Sequence, residues 1–175
     1  MSLPNFLSIS RILFLIPIIF LFEYDLYLFS VLTFVIASIT DYLDGYLARK
    51  NNQASDFGAL IDLLADKIFV SILLIWMTFN FDNLIILISS ILIVSREIMI
   101  SYVRMFFISK SNNLNKVKSD LLGKFKTTFQ MIGLGLILIS PLTINLVFFI
   151  GLSLLLFSAV ISWYSLIMYL NKWIV

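Results

Sequence analysis

The chain contains no cysteine and no histidine. The first absence excludes disulfides, thiolate nucleophiles and sulfur-bound metals. The second removes the imidazole that usually serves as general base near neutral pH. Proton transfer therefore falls to Asp, Glu, Lys or Tyr. A bound metal must take oxygen ligands, which favours Mg2+, Mn2+ or Ca2+ over Zn2+. Charge is also scarce: 13% of the 175 residues are Asp, Glu, Lys or Arg, against roughly 25% in soluble domains. A net charge of +2 offers no footprint for nucleic acid. What abounds is apolar surface. Hydrophobic residues make up 61% of the chain, with 17 Phe and a mean hydropathy of +1.06. This is the composition of an integral membrane protein, and the length fits one domain over 1–175.

About 20 mainly apolar residues cross a bilayer as a helix. Six such segments fit the chain, at roughly 5–22, 26–48, 57–80, 84–108, 121–140 and 144–172. The expected fold is therefore all-α and polytopic, with six transmembrane helices. Arg11 before the run Ile12–Phe22 has the look of a signal peptide, but no small-x-small cleavage site follows, so the run is expected as a retained span. With the N-terminus in the cytoplasm, the inner connections hold Arg49, Lys50, Lys110, Lys116 and Lys118, and the outer ones hold Glu23, Asp25 and Asp82. Basic residues belong on the inside, so both termini are expected there. Trp163, Trp173, Tyr24, Tyr27, Tyr164 and Tyr169 are read as interfacial or lipid-facing aromatics. Gly133 and Gly135 are read as points of close helix packing, and the sixth span as scaffold.

Four carboxylates interrupt this apolar background in the pattern Asp41-x2-Asp44-Gly45-x2-Ala48-Arg49-x8-Gly58-x3-Asp62-x3-Asp66. A charged residue at the centre of a membrane helix costs about 2.5–3.5 kcal/mol on insertion scales. Asp41 and Asp44 are three apart, and Asp62 and Asp66 four apart, so each pair shares a helix face. The short polar stretch Lys50–Asp56 turns the second and third helices antiparallel, and the four acids then converge at an inward-facing site. Their charge of −4 matches two divalent cations. Gly45, Ala48 and Gly58 remove bulk and admit a phosphate-bearing ligand. The bland alternative, interfacial acids paired with Arg49 and Lys67, predicts neither the regular spacing nor the interleaved small residues.

The stretch Asp41–Asp66 matches every fixed position of the CDP-alcohol phosphatidyltransferase signature, and the chain is identified as resembling that family. The resemblance implies a six-helix membrane enzyme, usually dimeric, that transfers a phosphatidyl group from CDP-diacylglycerol to an alcohol and releases CMP. It implies Mg2+ or Mn2+, with Asp41, Asp44 and Asp62 as metal ligands and Asp66 as base and further ligand. Gly45, Ala48, Arg49 and Gly58 correspond to positions lining the nucleotide and pyrophosphate site.

The acceptor must be read elsewhere. Arg96 and Glu97 lie inside the fourth span, with Arg104 eight residues beyond Arg96, about 80° round a helix. Gly123-Lys124-Phe125-Lys126-Thr127-Thr128-Phe129-Gln130 opens the fifth span, where backbone N–H groups and two lysines suit a phosphate. Taken alone, Lys124 and Lys126 also read as membrane anchors, and Arg96–Glu97 as a structural pair. Lys116 and Lys118 read as membrane-surface charges. Ser95-Arg96-Glu97 with Arg104, the lysine-rich segment, and Pro4-Asn5-x5-Arg11 resemble the branch of the family that uses glycerol 3-phosphate. That resemblance places Asn5 and Arg11 with the CDP-diacylglycerol site, and Arg96, Arg104, Lys124 and Lys126 with the acceptor phosphate. The expected partners are CDP-diacylglycerol, glycerol 3-phosphate, a bacterial-type inner membrane and a second copy of the chain. Alternatives are another acceptor (inositol phosphate, serine or phosphatidylglycerol) or, from a different class, a divalent-cation channel or transporter lined by the acids.

Overall fold

In a bilayer every backbone N–H and C=O must be satisfied within the chain, which restricts long apolar segments to helices. The computed structural model follows that rule. It describes residues 3–50, 56–110 and 121–174, with side chains placed for 10–40, 64–103, 105 and 125–171. Among the described residues there are six α-helices and no strand: α1 (Leu3–Glu23), α2 (Tyr27–Lys50), α3 (Asp56–Phe81), α4 (Leu84–Lys110), α5 (Leu121–Ile139) and α6 (Asn145–Ile174). They lie within a few residues of the segments expected from hydropathy. The polar stretches 51–55 and 111–120 lie outside the described residues.

The connections have local causes. Asp25 and Asp82 adopt positive φ (60° and 42°) at the ends of α1 and α3, a conformation that Asp tolerates better than most residues. Asn83 then caps α4: its Oδ1 accepts from the backbone N–H groups of Ile85 and Ile86, at 2.9 and 3.3 Å, satisfying donors left open by the first turn. A short 3-10 turn at Ser140–Leu142, with Pro at its start, separates α5 from α6.

Each helix packs mainly against two others, and the pairs close a ring in the order α1, α2, α5, α6, α4, α3. Helices α1 and α3 run parallel. At one end Glu23 Oε1 accepts from Trp76 Nε1 and Asn80 Nδ2, at 3.0 and 3.1 Å, and about three to four turns back Arg11 meets Asp66. The core is an apolar stack that includes Ile18, Phe34, Phe69, Leu73, Met77, Leu134, Ile137 and Leu155. Close approach of α5 and α6 depends on glycine. A Cβ on Gly151 would stand 2.8 Å from Ile137 Cγ1 and 3.1 Å from the carbonyl oxygen of Gly133, so the packing role expected for Gly133 holds. Gly135 lies against the Phe34 ring.

Large apolar side chains cover the outside, Phe20, Phe79, Ile91 and Val160 among them, as lipid-facing surface requires. The windows Leu64–Phe81, Leu84–Val103, Phe125–Leu142 and Asn145–Asn171 are each long and apolar enough to cross a membrane, and Tyr27–Thr40 is a shorter apolar helix. Two aromatics depart from expectation. Trp163 points into the bundle, where its Nε1 donates to the Leu92 carbonyl at 3.0 Å, and Tyr169 is buried. The indole there finds a polar partner between helices rather than at the lipid interface. Tyr24 and Tyr164 remain exposed, and Trp173 lies outside the described side chains.

Candidate active site

Two polar clusters lie between the helices. The first joins α1 to α3. Arg11, 2% exposed, forms an ion pair with Asp66, whose carboxylate is 47% exposed. Burial of an arginine in an apolar bundle needs a counter-charge, and Asp66 supplies it from the neighbouring helix. Arg11 is expected with the CDP-diacylglycerol site and Asp66 with the acidic motif, and the structure brings their side chains together.

The rest of the acidic motif lies on continuous helix. Helix α2 runs unbroken through Asp41, Asp44, Gly45, Ala48 and Arg49, and α3 through Gly58, Asp62 and Asp66. Both helices pack on α1. The side chains of Asn5, Asp41, Asp44, Arg49 and Asp62, and the surroundings of Gly45, Ala48 and Gly58, lie outside the described residues. Among the residues whose side chains are described no three acids cluster, and Asp66 is the one member of the acidic quartet in that set.

The second cluster joins α4, α5 and α6. Arg96 is 4% exposed and Lys126 5% exposed, so Lys126 is no simple surface anchor. Both reach the same atom. Glu97 Oε1 accepts from Arg96 Nη1 at 3.0 Å and also from Lys126 Nζ. The guanidinium is fixed from its other side, because Arg96 Nε donates to the Ser162 carbonyl at 3.0 Å. The turn bearing Lys126 is fixed as well: Ser158 Oγ donates to its backbone carbonyl at 3.0 Å. Gln130, one turn beyond Lys126, is buried, whereas Thr127 and Thr128 face outward. The lysine and glutamine, rather than the threonines, form the inward face of α5. The side chains of Arg104 and Lys124 lie outside the described residues.

A third contact ties the clusters together. Lys67, the residue after Asp66, donates from Nζ to Ser101 Oγ, and Ser101 donates in turn to the Glu97 carbonyl at 2.6 Å. The turn of α3 that carries Asp66 is thus coupled across α4 to the Glu97 cluster.

Sequence reasoning missed part of this arrangement. Glu97 was read as a pairing partner at most, and α6 as scaffold. In the structure α6 presents Ser158, Ser162 and Ser165 inward, all buried, and it holds the basic cluster through the Ser158 hydroxyl and the Ser162 backbone carbonyl. The signal was available in their spacing of four and three, one face of a helix. Serine is nonetheless common in membrane helices as a small packing residue, so spacing alone did not give it chemistry.

The fold and these clusters define a class: a multi-pass, all-helical membrane protein with an acid on α3 and a buried basic centre between α4 and α5. The family model for CDP-alcohol phosphatidyltransferase matches residues 1–171, and the chain belongs to that family. Among curated proteins it is similar to the CDP-diacylglycerol–glycerol-3-phosphate 3-phosphatidyltransferase of Salmonella choleraesuis strain SC-B67, 33% identical over 97% of this chain and 93% of the relative. The protein of the same name from Shigella flexneri serotype 5b is 33% identical over the same shares. That from Pseudomonas fluorescens is 32% identical over 98% of this chain and 89% of its own length.

Proposed function

We infer that the chain transfers the phosphatidyl group of CDP-diacylglycerol to sn-glycerol 3-phosphate, giving phosphatidylglycerophosphate and CMP. Family membership supports the reaction type, and the names of relatives that align over nearly the whole chain support the acceptor. The observation in this molecule that carries the acceptor is the convergence of buried Arg96 and Lys126. Two cations held in a membrane interior suit a phosphate-bearing alcohol, which brings close to two negative charges, better than zwitterionic serine, whose single carboxylate sits beside an ammonium that the cations repel.

The donor set Asp41, Asp44, Asp62 and Asp66 consists of carboxylates alone, without sulfur or imidazole, and fits two hard divalent cations, Mg2+ or Mn2+. When bound, such ions neutralise the pyrophosphate and stabilise the entering and leaving oxygens of an in-line displacement. The chain's own residues do the rest. Gly45, Ala48 and Gly58 leave room for the nucleotide, with Asn5 and Arg49 beside it. Arg11 orients Asp66 and limits its motion. Asp66, with half its carboxylate open, takes the proton from the primary hydroxyl of the acceptor. That oxygen attacks the phosphorus of the phosphatidyl group, the bond to CMP breaks, and the P–O bond of phosphatidylglycerophosphate forms. Arg96 and Lys126, with Arg104 and Lys124, hold the acceptor phosphate at a distance from the attacking hydroxyl, so that binding energy at one end positions the other.

All six helices span the membrane in this reading, with both termini and the site on the cytoplasmic side of a bacterial-type inner membrane. The working unit is a homodimer. The test is reconstitution of purified protein in liposomes with CDP-diacylglycerol, glycerol 3-phosphate and Mg2+. CMP release without Mg2+ flux is expected, whereas flux without CMP release contradicts the reading and points to a channel.

A further inference from the structure

We propose that Glu97 is a positioning residue that sets acceptor affinity by holding Lys126, so that the basic pocket is built before the acceptor arrives. The proposal rests on the reading of Arg96 and Lys126 as the acceptor-phosphate site.

The geometry carries it. Lysine has a flexible four-carbon stem and three rotatable donors, and its direction is not fixed by its own chemistry. Arginine is different: Arg96 is fixed by the Ser162 carbonyl as well as by Glu97. Glu97 Oε1 accepts from both cations, drawing the lysine of α5 onto the guanidinium of α4. The backbone beneath Glu97 is pinned too, since its carbonyl accepts from Ser101, the hydroxyl to which Lys67 donates. The carboxylate, tied to the guanidinium that Ser162 fixes, is thus the post and Lys126 the part it holds.

Charge agrees with this role. Two cations share one acid, so the trio of Arg96, Lys126 and Glu97 carries +2 − 1 = +1. A structural ion pair is satisfied one to one, and replacement of such a buried pair by apolar side chains is often neutral. Here the acid offsets part of the repulsion between two neighbouring cations and still leaves positive charge for an anion. Binding then does not have to order the lysine at the moment the phosphate arrives.

A double-mutant cycle on the full-length enzyme in nanodiscs tests this, with Glu97→Gln, Lys126→Met and the double variant assayed for KM of glycerol 3-phosphate, KM of CDP-diacylglycerol and kcat. A charge-assisted hydrogen bond lost from each single variant raises acceptor KM by about 10- to 100-fold, with CDP-diacylglycerol KM within about threefold of wild type. The double variant is expected to be no worse than the poorer single one, because Glu97 acts through Lys126. Multiplying effects in the double variant, an unchanged acceptor KM in Glu97→Gln, or an equal loss for both substrates overturns the proposal. An unchanged acceptor KM in Lys126→Met removes the phosphate-site reading, and the proposal falls with it. Should Glu97→Gln fail to fold, Glu97→Asp carries the test: it keeps the charge but retracts it by one methylene. A several-fold rise confined to the acceptor KM supports the positioning role, and equal rises for both substrates, or none, refute it.

Discussion

Asp66→Asn separates chemistry from architecture at the most informative position in the chain. The substitution keeps the size and polarity of the side chain but removes its charge and its basicity. If Asp66 takes the acceptor proton, kcat falls by about 10²- to 10⁴-fold, the usual worth of a positioned general base. The architectural cost is smaller and follows from burial. Arg11 is 2% exposed and the Asp66 carboxylate 47% exposed, so the pair lies between two limits. Breaking a fully buried pair from one side costs about 3–5 kcal/mol, and an exposed pair is worth about 0.2–1 kcal/mol. The asparagine carbonyl still accepts from Arg11, which favours the lower half of that interval, about 1–2 kcal/mol. Transmitted wholly to donor binding, that weakens CDP-diacylglycerol by roughly 5- to 30-fold, well short of the loss in kcat. Single-turnover CMP release at saturating substrates gives the chemical step, and equilibrium binding of CDP-diacylglycerol gives the other term. Turnover within tenfold of wild type refutes Asp66 as the base. A binding loss as large as the loss in kcat refutes the division made here and leaves Asp66 as a ligand or structural residue.

Other expectations test other parts of the account. Lys124→Ala should raise the KM of glycerol 3-phosphate with little change in kcat, and an unchanged KM reduces Lys124 to a membrane anchor. Gly151→Ala places a Cβ 2.8 Å from Ile137 Cγ1 and 3.1 Å from the Gly133 carbonyl oxygen, and should destabilise the bundle by about 1–3 kcal/mol; a thermal melt in detergent that does not shift contradicts the tight α5–α6 contact. Chelation of divalent cations should abolish CMP release, with recovery on Mg2+ or Mn2+, and activity that persists in chelator removes the metal role of the four acids. The chain has no cysteine, so single cysteines at Asp25 and Asn112 can be read against a clean background. An impermeant maleimide added to intact cells should label the first and spare the second, and the opposite pattern inverts the proposed orientation.

Helix positions were legible because they follow from the cost of open backbone in lipid: hydropathy placed all six within a few residues. The pairing order of the helices was not. That α1 packs against both helices of the acidic motif depends on side-chain fit, such as Phe22 against Trp76 with ring centroids 5.0 Å apart, and no periodicity encodes it. At the site, Asp66 and Lys126 stood out in sequence because charge in a membrane helix is costly and demands a reason. Glu97 was visible for the same cause, but its two partners lie at different distances along the chain, one adjacent and one 29 residues on, and only the fold shows that they share an oxygen. Trp163 illustrates the opposite error. An indole in a membrane helix reads as interfacial or lipid-facing, and only the carbonyl of Leu92 shows that it faces the bundle.

The central claim is that the buried basic centre on α4 and α5 selects a phosphate-bearing acceptor for the phosphatidyl group. Purified protein supplied with CDP-diacylglycerol, Mg2+ and equal concentrations of labelled glycerol 3-phosphate, serine and inositol phosphate tests it in one assay, read as labelled lipid. Phosphatidylglycerophosphate is the dominant product expected, formed in step with CMP. Labelled lipid from serine, with none from either phosphate-bearing alcohol, contradicts the claim, and lipid from inositol phosphate alone refutes glycerol 3-phosphate as the acceptor.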